Sequence, residues 1–217
     1  MLNQFKNSKS IGFDLDGTLY PSTPEVEDRV RNKIALKLLE KRPDLKDLDN
    51  ARKFFEERYL IICSGKGVLK EVGYENSSKI MEECLINADV LDLIVPNPNL
   101  ADIMKRLSKV YETYLLTSSP ENSALSKLEK IGISFDSFRF MVFNDTPSSG
   151  SKSNGEAFDY AIKKSIYSPS QHIYVGDRLK QDINPAKLKG MKTIAVWSYI
   201  PESDYSINKI EEIERLL

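Results

Sequence analysis

From Val95 onward the chain alternates short apolar runs with stretches of helical periodicity, and this constrains its fold more than any other feature. The apolar runs are "TYLLTSS", "FRFMVF", "HIYVGD" and "KTIAVW". Between them lie "SPENSALSKLEKIG", "NGEAFDYAIKKS" and "DINPAKLKG", which read as helices, the first closed by Gly132. A further apolar run, Ser10–Asp14, opens the chain. Asn99 is placed to cap a helix running to Ser108, and "SINKIEEIERLL" reads as a terminal amphipathic helix. Alternation of this kind predicts an α/β fold, a parallel sheet with helices on both faces.

The segment from Pro21 to Asp92 interrupts that scheme. It holds no convincing strand. Val26, Val30, Ile34 and Leu38 recur at four-residue spacing on one helical face over Pro24–Arg42, and Pro43 ends the run. Residues 21–92 therefore read as a helical insertion, with residues 1–20 and 93–217 forming the core. Pro96 and Pro98 mark the return to it.

Ligands of parallel sheets bind outside the carboxyl ends of the strands. The first such end carries Asp14 and Asp16, separated by one leucine and followed by Gly17 and Thr18. One aspartate there is readily a turn cap. Two held close repel each other unless a cation or a proton lies between them. The second end carries Thr117 and Ser118, which suit either a helix start or a phosphate. Lys152 lies in a Ser/Gly-rich loop, either solvated or reaching the same mouth. The fourth end carries Asp177 after Gly176, and Asp182 follows near a helix start, where a carboxylate is also favoured by the helix dipole. Together these side chains supply what Mg²⁺-assisted phosphoryl transfer needs: hard oxygen ligands, a carboxylate nucleophile, a second carboxylate to move protons, and donors for the phosphoryl oxygens.

The sequence "DLDGT" at Asp14–Thr18, Thr117 after an apolar strand, Lys152 before a helix, and Gly176-Asp177 with Asp182 resemble, in order, the four motifs of the haloacid dehalogenase-like hydrolase superfamily. The resemblance spans nearly the whole chain. It implies a Rossmann-like three-layer core and an inserted helical cap. It also implies that Asp14 attacks phosphorus to form an aspartyl-phosphate, and that Asp16 serves as acid and then base. Thr117, Ser118 and Lys152 would hold the phosphoryl group. Asp14, the Asp16 carbonyl and Asp177 would ligate Mg²⁺, and Asp182 would orient Lys152 or metal-bound water. Dehalogenases resemble the pattern without the second aspartate, so Asp16 favours phosphate chemistry.

"GTLYPS", the text around "GKGVLKEVG", and "DVLDLIVPNPNLADIMKRL" look similar to the pyrimidine 5'-nucleotidase-like branch. The Gly-Asp of the fourth motif instead matches phosphoglycolate-phosphatase-like and phosphomutase-like branches. The expected function is thus a Mg²⁺-dependent phosphatase for a small phosphorylated metabolite, with a nucleoside monophosphate the candidate that the nucleotidase-like resemblance implies. The alternatives are a sugar phosphomutase, or a regulatory protein on the same fold. Arg58, Tyr59, Lys66 and Lys70 are candidates for substrate contact from the cap.

The remaining expectations are exclusions and structural roles. The 31 basic and 32 acidic residues leave a net charge of -1, which gives nucleic acid or an anionic membrane no electrostatic handle. No run approaches the ~20 apolar residues of a membrane helix. Cys63 and Cys84 fit no metal or redox spacing and read as reduced thiols of a cytoplasmic protein. His172 reads as structural, and Trp197 as packing at the sheet edge.

Overall fold

The computed structural model describes residues 5–62 and 64–217. Cys63 lies outside the described residues. Cys84 is a buried free thiol, its pKa pushed up to about 11 by that burial. The chain divides into two compact units, one formed by residues up to Ser22 with Ile94–Leu217, the other by Thr23–Leu93.

The first unit is built on six parallel strands: β1 (Ser10–Phe13), β2 (Glu112–Leu116), β3 (Phe140–Val142), β4 (His172–Gly176), β5 (Lys192–Val196) and β6 (Tyr205–Ile207). Their order across the sheet is β3-β2-β1-β4-β5-β6. β1 is central, with Ser10 paired to Glu112 on one side and to His172 on the other. The order reverses direction between β1 and β4, and that is where an open α/β sheet forms its ligand crevice. All residues of β1 are buried, as expected for a strand covered on both faces. Gly12 is required there by close approach, because a Cβ would lie 2.3 Å from the Tyr114 ring. Tyr114 stacks on Phe140 and belongs to a cluster with Leu116, Val142, Phe158 and Tyr174.

The second unit contains α1 (Pro24–Lys41), α2 (Leu48–Ile62), α3 (Gly65–Glu71) and α4 (Ser77–Asn87), with no strand among its described residues. Thr23 caps α1 by accepting a hydrogen bond from the Val26 N–H. Ile34, Leu38, Phe55, Val68 and Leu69 form its core. The remaining helices belong to the first unit: α5 (Pro98–Leu107), α6 (Glu121–Ile131), α7 (Glu156–Lys164), α8 (Asn184–Leu188) and α9 (Ile213–Leu216). Among the described residues, no helix is long and apolar enough to cross a membrane.

Several sequence expectations are corrected. Asn97, not Asn99, caps α5, because Pro98 at the first helical position places the Asn97 side chain on the Leu100 N–H. The terminal stretch is not one helix. Tyr205–Ile207 pairs with Ile194–Val196 as a sixth strand, and only Ile213–Leu216 is α-helical. A short apolar run fits either period, and an open sheet edge decided it. Trp197 accordingly sits past β5, which β6 covers, so it is not at the sheet edge. Its indole N–H donates to the Thr18 carbonyl at 3.2 Å. His172 is fully buried and meets Tyr114 edge-on, and its Nε2 lies 3.2 Å from the Tyr167 carbonyl, a structural role.

Candidate active site

Asp14, Thr117 and Asp177 each lie one residue beyond the carboxyl end of β1, β2 and β4. Asp14 is 6% exposed, and its N–H donates to the Val175 carbonyl, extending the β1–β4 ladder by one residue. Lys152, from the loop between β3 and α7, is equally buried. Its Nζ lies 2.7 Å from Asp14 Oδ1 and 2.6 Å from Asp182 Oδ1. Asp182 is fully buried; its Oδ2 accepts the Arg178 N–H, so the turn after β4 is tied back onto it.

One carboxylate oxygen each from Asp14, Asp177 and Asp182 lies within 4.8 Å of the others. Burial pushes Asp14 up to about 6, opposed by Lys152 and reinforced by Asp182. Burial and the charge of Asp14 push Asp177 up to about 8. Asp14 and Asp177 offer hard oxygen donors that fit a divalent ion such as Mg²⁺, while Asp182 is paired with Lys152. Gly17 makes room for this arrangement. Its φ is 78°, and a Cβ there would lie 2.5 Å from Asp177 Oδ2. The Thr18 hydroxyl donates to Asp177 Oδ1 at 3.3 Å.

Asp16 faces a different set of partners. Its Oδ1 accepts from Lys127 Nζ and from the Tyr20 hydroxyl, both at 2.5 Å, and its Oδ2 accepts from the Ser119 hydroxyl at 2.6 Å. Burial opposes its ionisation. The Lys127 charge and the three hydrogen bonds outweigh that, holding the carboxyl well below the usual range. Thr117 is buried, and its Oγ1 accepts the Ser119 N–H at 3.0 Å, while Ser118 is exposed. Of the candidates in the helical unit, Arg58 is engaged bidentately by Glu71. Tyr59 packs against Phe55, and Lys66 and Lys70 are exposed.

Residues 9–188 match the sequence pattern of the haloacid dehalogenase-like hydrolases. The chain belongs to this family. Within it, the chain is 27% identical over 225 residues to a glyceraldehyde 3-phosphate phosphatase of Methanocaldococcus jannaschii, covering 94% of this chain and 95% of that one. Two solved structures share its fold. A HAD phosphatase from Thermococcus onnurineus has a TM-score of 0.65 at 21% identity, with 96% and 97% of the two chains covered. The HAD-hydrolase YfnB from Bacillus subtilis, in a form bound to magnesium, has a TM-score of 0.65 at 20% identity, with 98% and 99% covered.

Against the four family motifs, the structure gathers Asp14, Lys152, Asp177 and Asp182 into one cluster, with Asp16 and Thr117 at the same sheet edge. Motif reading missed Tyr20, Ser119 and Lys127. Ser119 lies just before α6, but Pro120 occupies the cap position and the Ser119 hydroxyl donates to Asp16. Lys127 carried one usable signal. It falls on the inward stripe of α6 with Ala124, Leu128 and Ile131, where a lysine needs a buried partner.

Proposed function

We propose that this haloacid dehalogenase-like hydrolase is a Mg²⁺-dependent phosphatase acting on a small phosphomonoester through an aspartyl-phosphate. The observation that carries the reading is the buried Asp14 carboxylate, held by Lys152 at 2.7 Å in a cluster with Asp177 and Asp182. A fixed carboxylate beside a cation is a nucleophile positioned for in-line attack.

Asp14 attacks phosphorus and the substrate alkoxide leaves. Asp16, ionised in the free protein, takes up a proton before turnover, gives it to that alkoxide, and later takes one from the water that hydrolyses the aspartyl-phosphate. Lys152 offsets charge on Asp14 and the phosphoryl oxygens, while Thr117 and the backbone at Ser118 donate to those oxygens. Asp182 keeps Lys152 in place. Asp14, Asp177 and the Asp16 carbonyl would hold Mg²⁺, which supplies further charge neutralisation when bound.

The helical unit, residues 21–92 by sequence and Thr23–Leu93 by compactness, serves as a cap that excludes water and selects substrate. Arg58, Tyr59, Lys66 and Lys70 remain its candidate contacts. The name of the archaeal relative adds glyceraldehyde 3-phosphate to the nucleoside monophosphates as candidate substrates. A cytoplasmic location, where such metabolites occur, is part of this proposal.

Phosphate release from a panel of these esters, sugar phosphates and phosphoglycolate tests the reading. Hydrolysis that needs Mg²⁺, stops with chelator and is lost in Asp14→Asn is expected. Full activity in Asp14→Asn would overturn the nucleophile. Transfer to a sugar hydroxyl without phosphate release would make the protein a mutase instead.

A further inference from the structure

Lys127 stands outside every step above, yet it is a lysine 4% exposed inside the catalytic unit. Burying an ammonium is costly unless it is paired and hydrogen-bonded. It is both. Nζ lies 2.5 Å from Asp16 Oδ1 and 3.0 Å from Ser119 Oγ. Ser119 passes the contact on, donating to Asp16 Oδ2 at 2.6 Å. Lys127 therefore grips both ends of one carboxylate, one directly and one through a hydroxyl. The Tyr20 hydroxyl closes the set on Oδ1. Lys127 stands on the second turn of α6, whose inward stripe of Ala124, Leu128 and Ile131 is buried, so its anchor is rigid.

The two lysines divide the carboxylates between them: Lys152 takes Asp14 and Asp182, Lys127 takes Asp16. Asp14 and Asp16 sit two residues apart and point to different cations. A single shared cation would leave their orientations linked; two separate ones set each independently.

We propose that Lys127, with Ser119 as its intermediary, is a positioning residue that fixes the orientation of the Asp16 carboxylate for proton transfer. This rests on the role of Asp16 given above. Lys127 contacts the Asp16 carboxylate and neither Asp14 nor Asp177, so it acts through Asp16.

A double-mutant cycle tests this: wild type, Lys127→Met, Asp16→Asn and the double variant, assayed on the ester of the panel above that the wild type turns over fastest, whose alkoxide needs a proton to leave. Lys127→Met is expected to lower kcat by about 10- to 100-fold, the usual effect of a misplaced catalytic group. KM and the Mg²⁺ concentration for half-maximal rate stay within about threefold, because Thr117, Lys152 and the Asp14 and Asp177 side chains keep their places and the Asp16 ligand is a main-chain carbonyl. In the Asp16→Asn background the same substitution causes no further loss. Lys127→Arg recovers part of the rate. Because Lys127→Met strands the half-buried Asp16 carboxylate, melting temperatures are read across the cycle, and the double variant regains most of what Lys127→Met loses.

Three results overturn the proposal: kcat unchanged in Lys127→Met, a loss carried by KM, or an equal loss in the Asp16→Asn background. Absence of hydrolysis of every ester in the panel by the wild type would instead overturn the proposed activity and this role with it. An active wild type with an additive cycle overturns this role alone.

Discussion

Lys152 meets Asp14 at 2.7 Å although 138 residues of chain separate them. The same ammonium contacts Asp182, so its removal leaves two buried carboxylates without their cation. Breaking a buried pair from one side costs about 3–5 kcal/mol. At about 2–4 °C per kcal/mol for a chain of this size, Lys152→Met should lower the melting temperature by roughly 10 °C at pH 8. The deficit should shrink at pH 5, where Asp14, with its pKa near 6, has taken up a proton. Calorimetry at the two pH values checks this.

The acidic cluster gives the metal-free protein an inverted pH response. Asp14 and Asp177 titrate at about 6 and about 8, both above the 3.8 of an exposed aspartate. Between pH 4 and 8 the native state thus holds protons that the unfolded chain has released. Stability in chelator falls as pH rises through that window. Mg²⁺ competes with those protons, so its stabilising effect should be larger at pH 8.5 than at pH 6. Thermal melts with chelator or added Mg²⁺ measure both effects; a metal-free protein more stable at pH 8.5 would contradict the assignment.

Gly17→Ala should weaken the cation site without unfolding the sheet. The new methyl meets Asp177 Oδ2 at 2.5 Å, and φ of 78° disfavours any side chain. Asp177 must move. Mg²⁺ affinity is expected to drop by about tenfold or more, of the order seen when groups that orient metal ligands are lost. Titration calorimetry with Mg²⁺ reads it directly.

Gly12→Ala tests the core instead of the chemistry. Its Cβ collides with the Tyr114 ring at 2.3 Å, and that ring is stacked on Phe140 and cannot withdraw freely. Overpacking of this kind costs about 1–3 kcal/mol. Denaturant unfolding should show the loss, with the divalent-ion affinity of any folded protein nearly unchanged.

Much of this was legible in the residues. Strand ends could be found because apolar runs stop sharply at Asp14, Thr117 and Asp177, and parallel topology sends such ends to one edge. β6 was not legible, because Tyr205–Ile207 is too short to show a period and its partner, β5, is only known once the sheet is built. The cap of α5 was displaced by two residues because Pro98 itself begins the helix. Lys127 was hidden by its own type. A lysine in an amphipathic helix reads as solvated until Ala124, Leu128 and Ile131 are seen to share its face.

The central place of β1 also dictates when the site can exist. Ser10 waits for Glu112 and then for His172 before both its neighbours are present. Contacts this distant in sequence are slow to form, whereas the helices of the Thr23–Leu93 unit pack on near neighbours in the chain. During synthesis the helical unit is therefore expected to consolidate first, while the strand that ends at Asp14 stays unpaired. The Asp14 carboxylate comes together with Lys152 and Asp177 only when nearly the whole polypeptide has been made, so a truncated product carries the aspartate without the cluster around it.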